Sequence, residues 1–181
     1  MISIRNLSIT YGRMTSRGRS GETEAVKNIS FSVEKGKLFA LAGESGSGKS
    51  SVLMAIPGLL PEGTRVSGEI LLDGRNLTAL SEEELNALRW RRIALIPQGA
   101  MNSFTPVLTV GRHIEEVLDV HLGLSKRAAR ERTQELFVRA GLDGALASRY
   151  PHELSGGQKQ RAAIALALAC VPSFLGVGKR R

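Results

Sequence analysis

The octapeptide Gly43–Ser50, GESGSGKS, restricts the possible folds of this chain more than any other feature. It fits the pattern G-x-x-x-x-G-K-[ST], between the apolar run LFALA at 38–42 and a predicted helix that ends near Pro57. Glycines let backbone N–H groups turn towards phosphate oxygens, and the N-terminus of the helix adds a positive dipole. A buried strand, this loop and a helix therefore predict a phosphate-binding site, because a flexible linker has no need of a lysine and a hydroxyl at this spacing.

Within this loop, Lys49 is expected to bridge the β- and γ-phosphates of a nucleoside triphosphate. The Ser50 hydroxyl is expected to be a ligand of Mg²⁺. Kinases, GTPases and ATPases all share the loop, so it does not by itself identify the reaction. The other nucleotide-binding residues expected in this segment are Gly43, Glu44, Ser45, Gly46, Ser47, Gly48 and Ser51.

A second glycine motif, LSGGQ, occupies positions 154–158. Ser155 and Gln158 have the spacing of a capping box, which predicts that a helix begins here with Ser155 as its N-cap. Two glycines in the first turn each cost roughly 1 kcal/mol relative to alanine, so a cap alone does not explain them. Bare glycines beside a hydroxyl and a helix N-terminus indicate a second anion site.

In these motifs the chain resembles the ATP-binding subunits of ABC transporters, over residues 1 to about 175. GESGSGKS matches the phosphate loop of that family, and LSGGQ matches its signature motif. Gln98, in the tripeptide IPQ, matches the Q-loop glutamine, which is a ligand of Mg²⁺ in the family. Lys49 and Gln98 are the catalytic residues that the resemblance identifies, and no others are identifiable from the sequence. Tyr11 matches the aromatic residue that stacks on adenine. The resemblance implies ATP and Mg²⁺ as cofactors, bound also by Leu154, Ser155, Gly156, Gly157 and Gln158.

The segments 98–107, QGAMNSFTPV, and 150–155, YPHELS, are similar to those of dipeptide, oligopeptide and nickel importers, with peptide favoured as cargo. In such transporters two ATP-binding subunits form a head-to-tail dimer, and the signature of one closes over the γ-phosphate held by the other. Transmembrane permease subunits dock on the helical segment. The resemblance implies these partners, no nucleic acid, and a cytoplasmic location, peripheral on the inner face of the cell membrane.

The resemblance breaks off near Leu175. In the family an apolar strand follows and ends in an aspartate, which holds Mg²⁺ through water, and a glutamate, which polarises the attacking water. Further along the chain a histidine contacts the γ-phosphate. Here no carboxylate follows Glu153 and no histidine follows His152, and the last residues read VPSFLGVGKRR. The other histidines, His113 and His121, are expected on the surface. We therefore expect a chain that is truncated before the Walker B motif and lacks this strand, and that binds ATP but does not hydrolyse it alone.

Three alternatives stay open at this point. One is a non-catalytic fragment or pseudogene product, and the missing carboxylates favour it. Another is a soluble ABC ATPase that takes no part in transport, although the sequence has neither a tandem second domain nor a basic stripe interleaved with aromatics. A kinase or GTPase is the third, and the signature motif argues against it.

The expected fold is α/β, a P-loop NTPase of the ABC nucleotide-binding type with an N-terminal β subdomain and a helical subdomain, its C-terminal part missing. The core is expected at 1–97 and 155–181, and the helical subdomain at 98–154. Local patterns predict strands at 2–10 (with a slip), 28–33, 38–42, 66–72 and 93–96, a polar loop at 12–24, and helices at 81–90, 110–120, 125–140 and from 155.

Composition agrees with a folded domain. Hydrophobic residues make up 42% of 181 residues and aromatics only 4%, which predicts an aliphatic core and excludes disorder of the whole chain. The single cysteine, Cys170, excludes a disulfide scaffold and a cysteine-based zinc site, and its apolar surroundings predict a buried thiol. The longest apolar run, 162–171, is half the length of about 20 residues that a membrane-spanning helix needs. Since no signal peptide opens the sequence, we expect a soluble chain.

Overall fold

The computed structural model describes residues 1–15, 18–97, 99 and 103–178, which fall into two compact units, 1–87 and 88–181. Strands and helices occur in both units, so the predicted α/β class is confirmed. The boundaries proposed above for the core and the helical subdomain stay a prediction.

The first unit is built on a four-stranded antiparallel sheet in the order β2-β1-β3-β4. Apolar side chains of β1 alternate and then slip by one position, and the register with β2 shifts between Ile4 and Leu7, which confirms the predicted irregular strand. All four apolar residues of that pattern are buried, at positions 2, 4, 7 and 9. The strands are β1 Ile2–Thr15, β2 Gly18–Val33, β3 Arg65–Leu72 and β4 Arg75–Asn76.

The polar loop predicted at 12–24 is wrong. Strands β1 and β2 continue to pair over the described residues 12–15 and 18–24, with Gly12 opposite Glu22 and Tyr11 opposite Thr23. Hydrogen bonding between these two long neighbouring strands outweighs the local preference of a polar, glycine-containing sequence for a loop. The hairpin therefore extends well beyond the apolar part of either strand.

The strand predicted at 38–42 is also wrong. The segment has no regular secondary structure, and Leu38 is 99% exposed. Among the described residues no strand pairs with this run, and without ladder hydrogen bonds an extended apolar segment is neither held nor covered. Phe39 alone of the run has an aromatic neighbour, since its ring stacks on Phe31 with centroids 4.7 Å apart.

The described residues of the first unit also form α1, Lys49–Ala55, which ends before Pro57 as predicted, and most of α2, Glu82–Leu88. The capping box that opens α2 is confirmed. Glu84 accepts a hydrogen bond from the Ser81 N–H at 2.9 Å, and Ser81 Oγ accepts one from the Glu84 N–H at 3.2 Å. The bond from the Ser81 N–H is the main reason why the pKa of Glu84 lies below its ordinary value.

In its described residues, the second unit combines a two-stranded parallel sheet with three α-helices around an aliphatic core. Its largest fully buried residues include Phe137, Ile114 and Leu118. The predicted helices at 110–120 and 125–140 are confirmed, as is the helix from 155. The elements are β5 Ile93–Ile96, α3 Val110–Leu122, α4 Lys126–Arg139, α5 Gly156–Ala167 and β6 Phe174–Val177.

We predicted that the strand after the signature helix is missing, and this prediction is wrong. Strand β6 follows α5 and pairs with β5. Its ladder with β5 is extended at both ends: the Phe174 N–H donates to the Arg92 carbonyl at 2.9 Å, and the Gly178 N–H donates to the Ile96 carbonyl at 2.8 Å. The pairing is made by backbone groups, so it tolerates Gly176 within the strand. The strand itself contains no carboxylate, as the sequence indicated.

Both histidines expected on the surface are instead half-buried. His113 holds the segment before α3: its Nδ1 donates to the Thr109 carbonyl and its Nε2 accepts from the Thr105 N–H, both at 2.9 Å. Burial, reinforced by the nearby Arg91 charge, lowers the pKa of His121. Cys170 is buried as predicted, and burial raises the pKa of its thiol.

Candidate nucleotide-binding site

The Lys49 side chain lies inside the loop that precedes α1. Its Nζ donates to the carbonyl oxygens of Gly43 at 2.8 Å and Glu44 at 2.5 Å, and to Ser47 Oγ at 2.9 Å. The ammonium group is thus held where the loop turns, at the N-terminal end of the helix. All three partners are neutral oxygens, and the charged oxygens of a phosphate form stronger hydrogen bonds with an ammonium group than neutral oxygens do.

The glycines give this loop its path. Gly46 and Gly48 have φ values of +82° and +83°, in the left-handed region that other residues rarely adopt. Around Gly46 a Cβ atom would meet no atom within 4 Å, whereas at Gly48 it would lie 2.2 Å from the Ala25 carbonyl oxygen and 2.9 Å from Val26 Cγ2. The loop therefore packs directly on strand β2, and only a glycine fits at position 48.

Tyr11 and Ser51 meet across the same unit. The Tyr11 hydroxyl on β1 donates to Ser51 Oγ in the first turn of α1 at 2.9 Å, and both side chains are half-buried. The structure thus brings the residue predicted to stack on adenine into contact with the end of the phosphate loop. Sequence reasoning named both residues but gave no reason to join them, since 40 positions separate them.

A magnesium ion fits the donors that this loop offers. Mg²⁺ prefers oxygen ligands and is commonly held by one or two protein groups together with substrate phosphates and water. Ser50 follows Lys49 in the first turn of α1 and is exposed, so it is accessible to a metal ion. The second metal ligand predicted from the sequence, Gln98, lies outside the described residues.

The LSGGQ segment forms the start of α5, as predicted. Ser155 Oγ accepts from the Gln158 N–H at 3.3 Å, and Gln158 Oε1 accepts from the Ser155 N–H at 2.8 Å. Ser155, Gly156 and Gly157 are exposed. A Cβ atom on Gly157 would meet no atom within 4 Å, so the fold has no packing reason for a glycine there. The first-turn N–H groups of such a helix have no partner within it.

The position of α5 is fixed by contacts that the sequence did not reveal. Leu154 is buried in the core of the second unit, directly before the exposed motif. Arg161 Nη1 donates to the Gly141 carbonyl at 2.9 Å, which ties the second turn of α5 to the end of α4. Glu153, just upstream, accepts from the Tyr150 N–H at 2.6 Å and from Arg149 at 3.0 Å, and the first of these bonds is the main cause of its lowered pKa.

The predicted site residues thus fall into two groups. Tyr11 and the loop 43–51 belong to the first unit, and 154–158 belong to the second. Each group has the local form expected of an anion-binding segment. Two segments of this kind in one chain are what the resemblance to ATP-binding subunits implies.

A family model described as ABC transporter matches residues 26–176, which include both glycine motifs. The chain belongs to the ABC transporter family. The chain is similar to a solved ATP-binding cassette that was determined as a dimer in a post-hydrolysis state with bound ADP and Pi. The two share 31% identity with a TM-score of 0.83, and the match covers 98% of the present chain and 73% of the solved one. These matches confirm the predicted P-loop NTPase fold of the ABC type.

Curated relatives of this ABC family member bear the names of peptide transport proteins. One is a probable peptide ABC transporter ATP-binding protein of Sinorhizobium fredii, 43% identical over 87% of this chain and 48% of its own length. Another is an oligopeptide transport ATP-binding protein of Bacillus subtilis, 38% identical over 97% of this chain and 49% of its own length. The chain spans about half the length of these relatives. No helix among the described residues has the length and apolarity needed to cross a membrane.

Proposed function

We propose that the chain is an ATP-binding subunit of an ABC importer for dipeptides or oligopeptides. The observation that carries this proposal is the placement of the Lys49 ammonium group within the glycine-shaped loop at the start of α1. The proposed cargo rests on the names of the two relatives reported above, which concern peptide and oligopeptide transport.

The proposed cofactors are ATP and Mg²⁺. Lys49 would exchange its carbonyl partners for phosphate oxygens, the Ser50 hydroxyl would bind the metal, and Tyr11 would stack on the adenine ring. N–H groups of the loop would bind the remaining phosphate oxygens, because successive amides in left-handed turns point into one concavity. Gln98 is proposed as a further metal ligand.

The proposed partners are a second ATP-binding subunit, joined head to tail, and transmembrane permease subunits. In that dimer, Ser155 and the N–H groups of Gly156 and Gly157 would act on the γ-phosphate held by the partner. Support comes from the exposed first turn of α5 and from the dimeric state of the similar solved cassette. The proposed location is the cytoplasmic face of the cell membrane, where the permease subunits would hold the protein.

We further propose that these 181 residues by themselves bind ATP without hydrolysing it. Phosphoryl transfer to water needs several groups that position the water and stabilise charge. No carboxylate follows Glu153 in the sequence, and Glu153 itself is committed to the Tyr150 N–H and to Arg149. Its lowered pKa makes it a weak base, poorly suited to activating water.

A binding and turnover assay on the purified chain tests this function. We expect saturable binding of MgATP, ATP-dependent association of two copies, and no phosphate release above the level without protein. Preference for GTP, or transfer of phosphate to an added acceptor, would instead support a GTPase or a kinase. Steady phosphate release from the chain alone would contradict the proposed division between binding and hydrolysis.

A further inference from the structure

The hydrogen bond between Tyr11 and Ser51 joins the two ends of the proposed nucleotide site. Tyr11 lies on β1, opposite Thr23 in the β1–β2 hairpin, and Ser51 is the third residue of α1. The bond spans 40 residues of sequence at a distance of 2.9 Å. A residue that is needed only as a flat ring for adenine would not require this contact, because phenylalanine offers the same ring.

The direction of the bond leaves the proton of the serine hydroxyl available. A phenol is a stronger acid than an aliphatic alcohol and is therefore the preferred donor of such a pair, so Ser51 Oγ accepts with one lone pair and keeps its own O–H for another partner. A hydroxyl that accepts a hydrogen bond is polarised and becomes a better donor. Without the tyrosine, a serine in a helix readily turns its hydroxyl back to the helix backbone.

The neighbours of Ser51 define what it can donate to. Lys49 and Ser50, the residues proposed to bind phosphate and Mg²⁺, precede it directly in the first turn of α1. The Lys49 ammonium group is held within the same loop by Gly43, Glu44 and Ser47. A phosphate oxygen of a nucleotide held in this loop would balance the lysine charge, and the Ser51 hydroxyl would then have an acceptor for its proton.

We propose that Tyr11 has a second task beside stacking on the base: its hydroxyl positions the Ser51 hydroxyl as a hydrogen-bond donor to the phosphate chain. Tyr11 is then a positioning residue for phosphate binding, and it couples the adenine end of the site to the phosphate end. This inference rests on the proposed ATP-binding function and assigns a further specificity to the same site.

Inorganic tripolyphosphate, with Mg²⁺, tests the inference because it has no base to stack on Tyr11. Its affinity is measured by calorimetric titration for the wild type, Tyr11→Phe, Ser51→Ala and the double variant. Loss of one such hydrogen bond is expected to weaken tripolyphosphate binding about 3- to 10-fold in each single variant. The double variant is expected to bind as weakly as Ser51→Ala and no weaker, since both changes remove the same interaction.

Two further variants separate the hydroxyl from the ring and from general effects. Tyr11→Leu, which also removes the ring, should match Tyr11→Phe with tripolyphosphate but bind ATP more weakly than Tyr11→Phe does. Tyr150→Phe changes the other tyrosine of the chain and should bind both ligands like the wild type.

The outcomes that overturn the inference differ from those that overturn the function. If the wild type binds tripolyphosphate and Tyr11→Phe binds it equally well, the positioning role is wrong and the ATP-binding function stands. Losses that multiply in the double variant also overturn the positioning role. A wild type that binds neither ATP nor tripolyphosphate overturns the proposed function, and the inference with it.

Discussion

Gly48 lies directly against Ala25: a Cβ atom built on Gly48 would stand 2.2 Å from the Ala25 carbonyl oxygen. This contact holds the phosphate loop on strand β2 and leaves no room for a side chain. Its neighbour Gly46 has nearly the same left-handed φ but open space around it. Alanine substitutions at the two glycines therefore separate the free-energy cost of the left-handed backbone conformation from the cost of steric crowding.

Gly48→Ala is expected to lower the free energy of unfolding more than Gly46→Ala does. The left-handed conformation alone costs an alanine roughly 1–2 kcal/mol, which applies to both changes. Crowding against backbone adds about 1–3 kcal/mol at position 48 only. Urea denaturation of both variants measures the difference, and equal losses would contradict the packing of the loop on β2.

Gly157→Ala is expected to change stability and association in opposite directions. Because the added Cβ meets no atom within 4 Å, alanine should stabilise α5 by about 1 kcal/mol, or less this close to the helix end. The same methyl group would obstruct the surface proposed to close over a partner's γ-phosphate. Thermal denaturation and light scattering with ATP measure the two effects. Unimpaired association of a stabilised variant would show that this surface is not an interface.

Gly111 provides the contrast for that experiment. It lies on α3, where a Cβ atom would stand 2.6 Å from the Ala147 carbonyl oxygen. Gly111→Ala should therefore lower the thermal transition although it, too, adds a methyl group to a helix. A stabilising effect at both glycines would mean that helix propensity, and not the local space, decides the result.

Stability is expected to fall in acid in part through Glu153. The Tyr150 N–H bond, helped by Arg149, holds the pKa of this carboxyl below its ordinary value of 4.5. A carboxyl with a lower pKa in the folded state contributes stability that is present above the unfolded pKa and is lost as the pH falls through the folded pKa. The difference in unfolding free energy between the wild type and Glu153→Gln should therefore be larger at pH 7 than below pH 4, as chemical denaturation at both pH values would measure.

Glu84 offers a parallel case, since its bond from the Ser81 N–H lowers its pKa in the same way. The difference in unfolding free energy between the wild type and Glu84→Gln should likewise be smaller below pH 4 than at pH 7. A difference that stays constant with pH at both positions would contradict the proposed role of these two carboxylates.

The sequence predicted best what depends on neighbours in the chain. The capping boxes of Ser81 with Glu84 and of Ser155 with Gln158 span one helical turn, and both are present. The slip in β1 and the ends of α1 were likewise visible as local patterns. These features are set by residues a few positions apart, so a single sequence contains the information.

Features that depend on distant partners were missed or wrong. Residues 12–24 read as a loop because polarity was visible and the pairing of β1 with β2 was not. Residues 38–42 read as a buried strand because apolarity was visible and the lack of a pairing partner in the described residues was not. The bonds of Arg161 to Gly141 and of Tyr11 to Ser51 join residues 20 and 40 positions apart, and no local pattern encodes them.

The most direct test is a titration that measures the affinity of MgATP for the purified chain and for its Lys49→Ala variant. The ammonium group of Lys49 is the full positive charge held within the phosphate loop, and we expect its removal to weaken binding at least about 100-fold, on the order of 3 kcal/mol. Lys35→Ala, in the exposed turn after β2, removes the same charge elsewhere and should bind like the wild type. Wild-type affinity for MgATP in Lys49→Ala would contradict the central claim that residues 43–51 bind the nucleotide.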